Sequence, residues 1–229
     1  MLYFKKTFIM KKYIGYIGAA LMCLSIFSCH KDDFNYPEGT VGVSTITNYP
    51  VFTRTGDNYV VVAKGSDFTD PGITAKEGNN MLKVTTTGTV NTSVAGVYTL
   101  SYSATNKDGF SATSSRTVIV TGPDATAAAN DFSGTYLRAS TGQVATFTKI
   151  GSGVYLVDNP GGAANVSLVA VAFNQVGDKI YLPSQISSDG LTTSSSNETS
   201  VAAGGNLTQF SWVILNTGYG TASRTFVKQ

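Results

Sequence analysis

Acid–base or nucleophilic chemistry needs a paired acid and base, or a nucleophile with a base beside it. The only histidine in the chain is His30, which lies outside both stretches that read as folded cores. Asp158, Asp178, Asp189 and Glu198 could supply a carboxylate pair for glycoside hydrolysis. All four lie in turn-rich segments, where solvation accounts for acidic residues. Serine and threonine are plentiful but have no base beside them. Asp67, Asp70 and Asp108 are too widely spaced for the six or more oxygens that Ca²⁺ takes. No catalytic residue, metal or cofactor is assigned. What remains is recognition through aromatic rings, whose apolar faces and polar edges suit sugars. The candidates are Tyr219, in the Gly-flanked loop Asn216-Thr217-Gly218-Tyr219-Gly220-Thr221, and Trp212, the only tryptophan. Trp212 stands on a strand apolar on both faces, which favours a core position. Glycan binding of this kind requires two or more aromatics together on one exposed face of the second domain. A buried or solitary Tyr219 argues against it.

Cys29 carries a different chemistry. Lys5, Lys6, Lys11 and Lys12 precede an uncharged, mostly apolar run from Tyr13 to Phe27, which ends at small Ser28. That run is shorter than the roughly 20 residues a spanning helix needs. With Ile26 at the aliphatic position and Ser28 at the small one, the segment resembles a bacterial lipoprotein signal. The resemblance implies cleavage before Cys29, which becomes the mature N-terminus carrying acyl chains, more than one chain being needed for stable anchoring. Lys31-Asp32-Asp33, directly after the cysteine, resembles the export signal of Bacteroidetes surface lipoproteins. This implies an outer-membrane protein, lipid-anchored and exposed at the cell surface.

Cleavage would discard Cys23 and leave no cysteine pair, so the exported part must stand on hydrophobic cores alone. It would also discard four of the 16 basic residues, leaving 12 against 14 acidic, a formal charge of −2. With no basic stripe, nucleic-acid binding is excluded as a reading. Abundant Ser, Thr and Gly, and no helical periodicity beyond the leader, make the chain all-β. The expected organisation is a signal peptide over 1–28, a flexible tether over 29–44, a β-sandwich over 45–122, a linker over 123–130, and an antiparallel meander or barrel-like domain over 131–229.

Strand Val97 to Ala104 places Tyr98, Leu100, Tyr102 and Ala104 on one face and Thr99, Ser101 and Ser103 on the other. Asn106-Lys107-Asp108-Gly109 reads as a turn, and Arg116-Thr117-Val118-Ile119-Val120 as the returning strand. Gly72 and Gly96 read as turn positions. Phe68-Thr69-Asp70-Pro71-Gly72, Gly88-Thr89-Val90, Gly96-Val97-Tyr98, Tyr102-Ser103-Ala104-Thr105-Asn106 and Arg116 to Val120 recur in this order in bacterial surface immunoglobulin-like domains, which the segment resembles. The resemblance implies a spacer or adhesion module. In the second domain, strands are expected at Phe132–Arg138, Val144–Lys149, Gly153–Val157, Asn165–Phe173, Lys179–Leu182, Phe210–Leu215 and Ser223–Val227, with a long loop over Ser187–Ser200. This part resembles the C-terminal domains of Bacteroides lipoproteins that carry the same module.

The expected function is non-catalytic: an Ig-like spacer presenting a C-terminal β-domain to a glycan or a protein partner, as an accessory to polysaccharide capture. The alternatives are an adhesion or structural surface protein without a small ligand and, more remotely, a small glycoside hydrolase. Replacing Asp32 and Asp33 with alanine is expected to hide the protein from protease added to intact cells. Unchanged accessibility would reduce that run to a plain linker.

Overall fold

The structure, a computed structural model, describes residues 40–41 and 44–229. It divides into a unit ending at Thr47 and a second unit from Asn48 to Gln229. In the first, β1 (Thr40–Val41) and β2 (Ser44–Thr45) pair antiparallel, within and beside the stretch expected as tether. Cys29, His30, Lys31, Asp32 and Asp33 lie outside the described residues.

The second unit begins with a sandwich of immunoglobulin-like type. One sheet has the order β3-β5-β6, from β3 (Val51–Arg54), β5 (Ile73–Glu77) and β6 (Asn80–Leu82). The other has the order β4-β9-β8-β7, from β4 (Tyr59–Ala63), β7 (Thr85–Thr87), β8 (Gly96–Thr105) and β9 (Ser111–Thr121), with β4 parallel to β9. Val62, Leu100, Tyr102 and Val118 fill the space between the sheets against Phe52, Phe68, Ile73 and Tyr98. The alternation along β8 is therefore realised as read. Gly96 is not a turn residue: it opens β8 beneath the Tyr98 ring, whose hydroxyl donates back to Val94 O at 2.8 Å.

Three of the segments that carried the Ig-like resemblance meet in one part-buried ionic network. The Asp70 carboxylate accepts from Tyr102 Oη at 2.9 Å and from Gly72 N at 3.2 Å, and lies 3.3 Å from Arg116 Nε. Arg116 is fully buried, and its Nη2 donates to Thr55 O and Gly72 O at 2.6 and 3.0 Å. Gly72 takes φ +84°, a conformation that suits glycine and turns its carbonyl to the arginine. Burial and the neighbouring Asp70 both push the Tyr102 pKa up, keeping the phenol protonated as a donor.

A nearly closed eight-stranded antiparallel sheet follows. Its strands are β10 (Gly134–Arg138), β11 (Gln143–Gly151), β12 (Val154–Asp158), β13 (Val169–Phe173), β14 (Gln185–Ile186), β15 (Thr192–Ala203), β16 (Asn206–Leu215) and β17 (Arg224–Lys228). The order β13-β12-β11-β10-β17-β16-β15-β14 is two four-stranded meanders joined through β10 and β17. The open seam lies between β13 and β14, where side chains take the place of a ladder. Gln185 Oε1 accepts from Val171 N and its Nε2 donates to Val171 O, both at 2.7 Å. Ser188 Oγ accepts from Val169 N at 2.8 Å, and Phe173 and Tyr181 exchange backbone bonds. The strand expected over Lys179–Leu182 reduces to that bridge.

Inside the barrel, Phe132, Tyr136, Phe147, Tyr155, Phe210, Trp212 and Phe226 pack ring to ring. Their polar ends are satisfied: Tyr136 Oη donates to Phe132 O at 2.6 Å, and Tyr155 Oη donates to Asn130 O at 3.2 Å. The long loop expected over Ser187–Ser200 is overturned by β15, a twelve-residue strand. Its hydroxyls found partners across and along the ladder, as between Thr199 and Ser211 at 2.6 Å, while β16 supplied the apolar side chains. Ser and Thr are compatible with a strand whose neighbour carries the burial.

Sandwich and barrel pack through a third apolar cluster. Ile119 of β9 meets Val154, Val171 and Phe173 on the outer face of the barrel, all almost completely buried, with Tyr59, Val61 and Val97 around them. A Cβ on Gly151 would fall 2.8 Å from Val61 Cγ1, so the two bodies approach to backbone distance there. Residues 123–130, expected as a linker, carry a short helix. Asp124 caps α1 (Ala125–Ala129) through Ala127 N at 2.8 Å and accepts from Gly177 N at 3.0 Å. Two backbone amides thus hold the Asp124 carboxyl below its usual range. Gln175 bridges the halves, accepting from Gly122 N and donating to Thr121 Oγ1, both at 2.9 Å.

Two substitutions test these constraints. Asp70→Ala leaves Arg116 charged and buried without its carboxylate, and is expected to cost about 3 kcal/mol in denaturant unfolding. Gln185→Ala strips the Val171 N–H and carbonyl of their partners at the seam, and is expected to cost about 2 kcal/mol in the same assay.

Candidate functional site: the cleft between sandwich and barrel

The outward face of the β4-β9-β8 sheet has two characters. At one end, Val61, Ile119 and Val97 sit side by side in register and pack on the barrel. Two residues further along, the register row is Tyr59, Thr117 and Thr99, and the two bodies part. The opening is a cleft of about 370 Å³, within the range of small-molecule sites. One wall is Asn58, Tyr59, Thr99, Ser115 and Thr117; the other is Ala170 and Val171 with Gln185, Ile186, Ser187, Ser188 and Gly190. Hydroxyl and amide groups dominate, Tyr59 and Ile186 contribute apolar surface, and no lining residue is charged.

The turn that forms the second wall is held from behind. The Asp189 carboxylate accepts from Ser187 Oγ at 2.7 Å, Leu191 N at 3.0 Å and Asn216 Nδ2 at 3.0 Å. Desolvation opposes ionisation of Asp189, but these three donors outweigh it and hold the carboxyl below the usual range. Asn216 also donates to Thr193 Oγ1 at 2.8 Å. The wall is therefore prearranged by a network of which Ser187 alone also lines the cleft.

A second concavity, about 530 Å³, is lined by Lys179, Ile180, Tyr181, Glu198, Thr199 and Ser200. Burial, and after it the Glu198 charge, pushes the Tyr181 pKa up. Of the carboxylates considered for glycoside hydrolysis, Glu198 lines this concavity and accepts from Ser195 Oγ. Asp178 accepts from Asn130 Nδ2 at 3.0 Å, Asp189 is engaged as described, and Asp158 ends β12. Of the four, only Glu198 lines either concavity. Among the described residues, no group of three or more metal-ligating side chains assembles.

The aromatic candidates stand elsewhere. Trp212, considered for ligand contact, is fully buried, stacked on Phe147, with its indole N–H donating to Pro160 O at 2.8 Å. It has no surface to offer, because β16 turns that face into the barrel. Tyr219 is half-buried against the barrel core: Gly161 packs against its ring, and the Arg224 guanidinium lies 5.3 Å from its centre. No second exposed aromatic joins it in the barrel among the described residues. The large aromatics that are exposed together are Tyr49 and Phe110, in the sandwich, 5.3 Å apart and edge to face.

The cleft residues escaped the sequence because Thr99 reads as part of the polar face of its strand, opposite Tyr98 and Leu100. The available signal was the unbroken apolar run Tyr59-Val60-Val61-Val62, matched by Val118-Ile119-Val120 in β9. A strand apolar on both faces must be covered on both.

Residues 52–120 match the family model described as bacterial surface protein, Ig-like domain. Among solved structures, a lipoprotein of Bacteroides thetaiotaomicron aligns at 24% identity over 79% of this chain and 100% of its own, with a TM-score of 0.40. The M60 catalytic domain with the CBM51-1 and CBM51-2 domains of Clostridium perfringens ZmpB aligns at 12% identity over 80% of this chain and 21% of its own, with a TM-score of 0.30. No curated protein matches the chain. The segment from 52 to 120 thus has an Ig-like fold and is similar to the bacterial surface-protein Ig-like domain, and it folds against a barrel.

Proposed function

We propose that this is a non-catalytic outer-membrane surface protein, lipid-anchored through Cys29, whose cleft between sandwich and barrel holds a segment of a neutral glycan. The observation that carries the reading is the lining: hydroxyls and amides on both walls, one aromatic ring, one exposed aliphatic side chain and no charge. Sugar hydroxyls each donate and accept, and a wall of Thr, Ser and Asn side chains offers both. Tyr59 supplies a ring with a polar edge. This replaces a platform of exposed aromatics with a cleft, since Trp212 is enclosed and Tyr219 has no exposed aromatic partner in the barrel. The Ig-like sandwich is then one wall of the site as well as a spacer. A protein partner is the second reading, favoured by Tyr49 and Phe110, which are 59% and 45% exposed.

A glycan array probed with the purified protein tests this. Binding to neutral polysaccharides is expected, and Thr99→Val with Thr117→Val, which removes hydroxyls while keeping shape, is expected to weaken it by about tenfold, or ~1.4 kcal/mol. Silence across plant, host and microbial polysaccharides would point instead to the protein partner.

A further inference from the structure

One end of the barrel interior holds two arginines. Arg138 closes β10 on the inward face shared with Tyr136, and Arg224 opens β17 on the inward face shared with Phe226. Each is held by backbone carbonyls alone. Arg138 Nη1 donates to Gly161 O and Gly162 O, both at 3.2 Å. Arg224 donates to Ala222 O at 2.8 Å and Gly220 O at 3.0 Å. Among the described residues, neither arginine has a carboxylate within ion-pair distance, unlike Arg116 with Asp70. Arg224 is 6% exposed, and its Nε, Arg138 Nε and the Tyr219 hydroxyl are all buried without a hydrogen-bond partner.

The three side chains converge. Tyr219 and Arg138 pack on neighbouring glycines: a Cβ on Gly161 would fall 2.0 Å from the tyrosine ring, and one on Gly162 2.8 Å from Arg138 Cδ. The Arg224 guanidinium lies 5.3 Å from the centre of the same ring. A guanidinium has donors and no acceptor, so its missing partner must be an acceptor. Two like charges brought into a partly desolvated site favour an acceptor that is negative. Consistently, burial and the Arg138 charge both push the Arg224 pKa down. Arg138 and Tyr219 are half-buried, so the group borders solvent.

We propose that this barrel end binds a small oxyanion, with Arg224, Arg138 and the Tyr219 hydroxyl as its donors. Sulfate and the carboxylate of an acidic sugar share this chemistry. The site shares no residue with the cleft lining and does not depend on the neutral-glycan reading.

Trp212, the only tryptophan of the chain, reports on the site, since its cross-strand partner is Arg224 and it bonds to Pro160 beside Gly161. The full-length protein is titrated with sodium sulfate and with sodium glucuronate at constant ionic strength, using sodium chloride and glucose as controls. A saturable change in Trp212 emission, with a rise in thermal midpoint that grows with anion concentration, is expected. A response to sulfate alone identifies a free inorganic oxyanion, and a tighter response to glucuronate an acidic sugar. Tyr219→Phe, which removes only the hydroxyl, and Arg138→Gln are each expected to weaken binding by about tenfold. A flat response to both anions, or unchanged affinity in both variants, overturns the proposal.

Discussion

The contact between the outer face of the barrel and the outer face of the sandwich organises the second unit. Ile119, Val154, Val171 and Phe173 are excluded from water only because the two bodies cover each other. Burial of such side chains stabilises by roughly 1.5–3 kcal/mol each. Gln175, Asp124 and α1 then fix the covalent connection, so that the halves do not behave as beads on a string. The cleft follows from this contact: it begins where the apolar row Val61, Ile119 and Val97 gives way to Tyr59, Thr117 and Thr99.

Each half solves a closure problem by a different means. The sandwich cannot use a disulfide and instead buries an arginine against Asp70, with Tyr102 and Gly72 completing the shell. Such a pair fixes geometry more than it adds net stability, because desolvation offsets much of the attraction. The barrel fills its interior with aromatic rings and leaves a seam between β13 and β14. There the Gln185 amide imitates a peptide group, accepting and donating to the same residue as a strand would. Gln185 also lines the cleft, so the residue that closes the barrel forms part of the candidate site.

Charge is distributed unevenly between the two places where a ligand could sit. The cleft is neutral, while the barrel end carries two guanidiniums paired only with carbonyls. Tyr219 belongs to the second place, with its ring taken by Gly161 and Arg224 and its hydroxyl left without a partner. Its role shifts from a stacking surface to a donor.

The sequence by itself determined the local order: an all-β chain, the alternating faces of β8, the turn after Thr105, and the segments that mark an Ig-like domain. These are legible because they depend on neighbours two to five residues apart. It misread Ser187–Ser200 as a loop, because the burial that makes β15 a strand comes from β16. It also placed Thr99 on the polar face of its strand and left that face uncovered, because nothing local says that a barrel stands opposite. Distant parts of the chain enclose Trp212, pin Asp124 and α1 to Gly177, and bring Arg138 and Arg224 to the same end of the barrel. Those outcomes depend on strand pairing across dozens of residues, where burial and electrostatics are set by what the rest of the chain brings alongside.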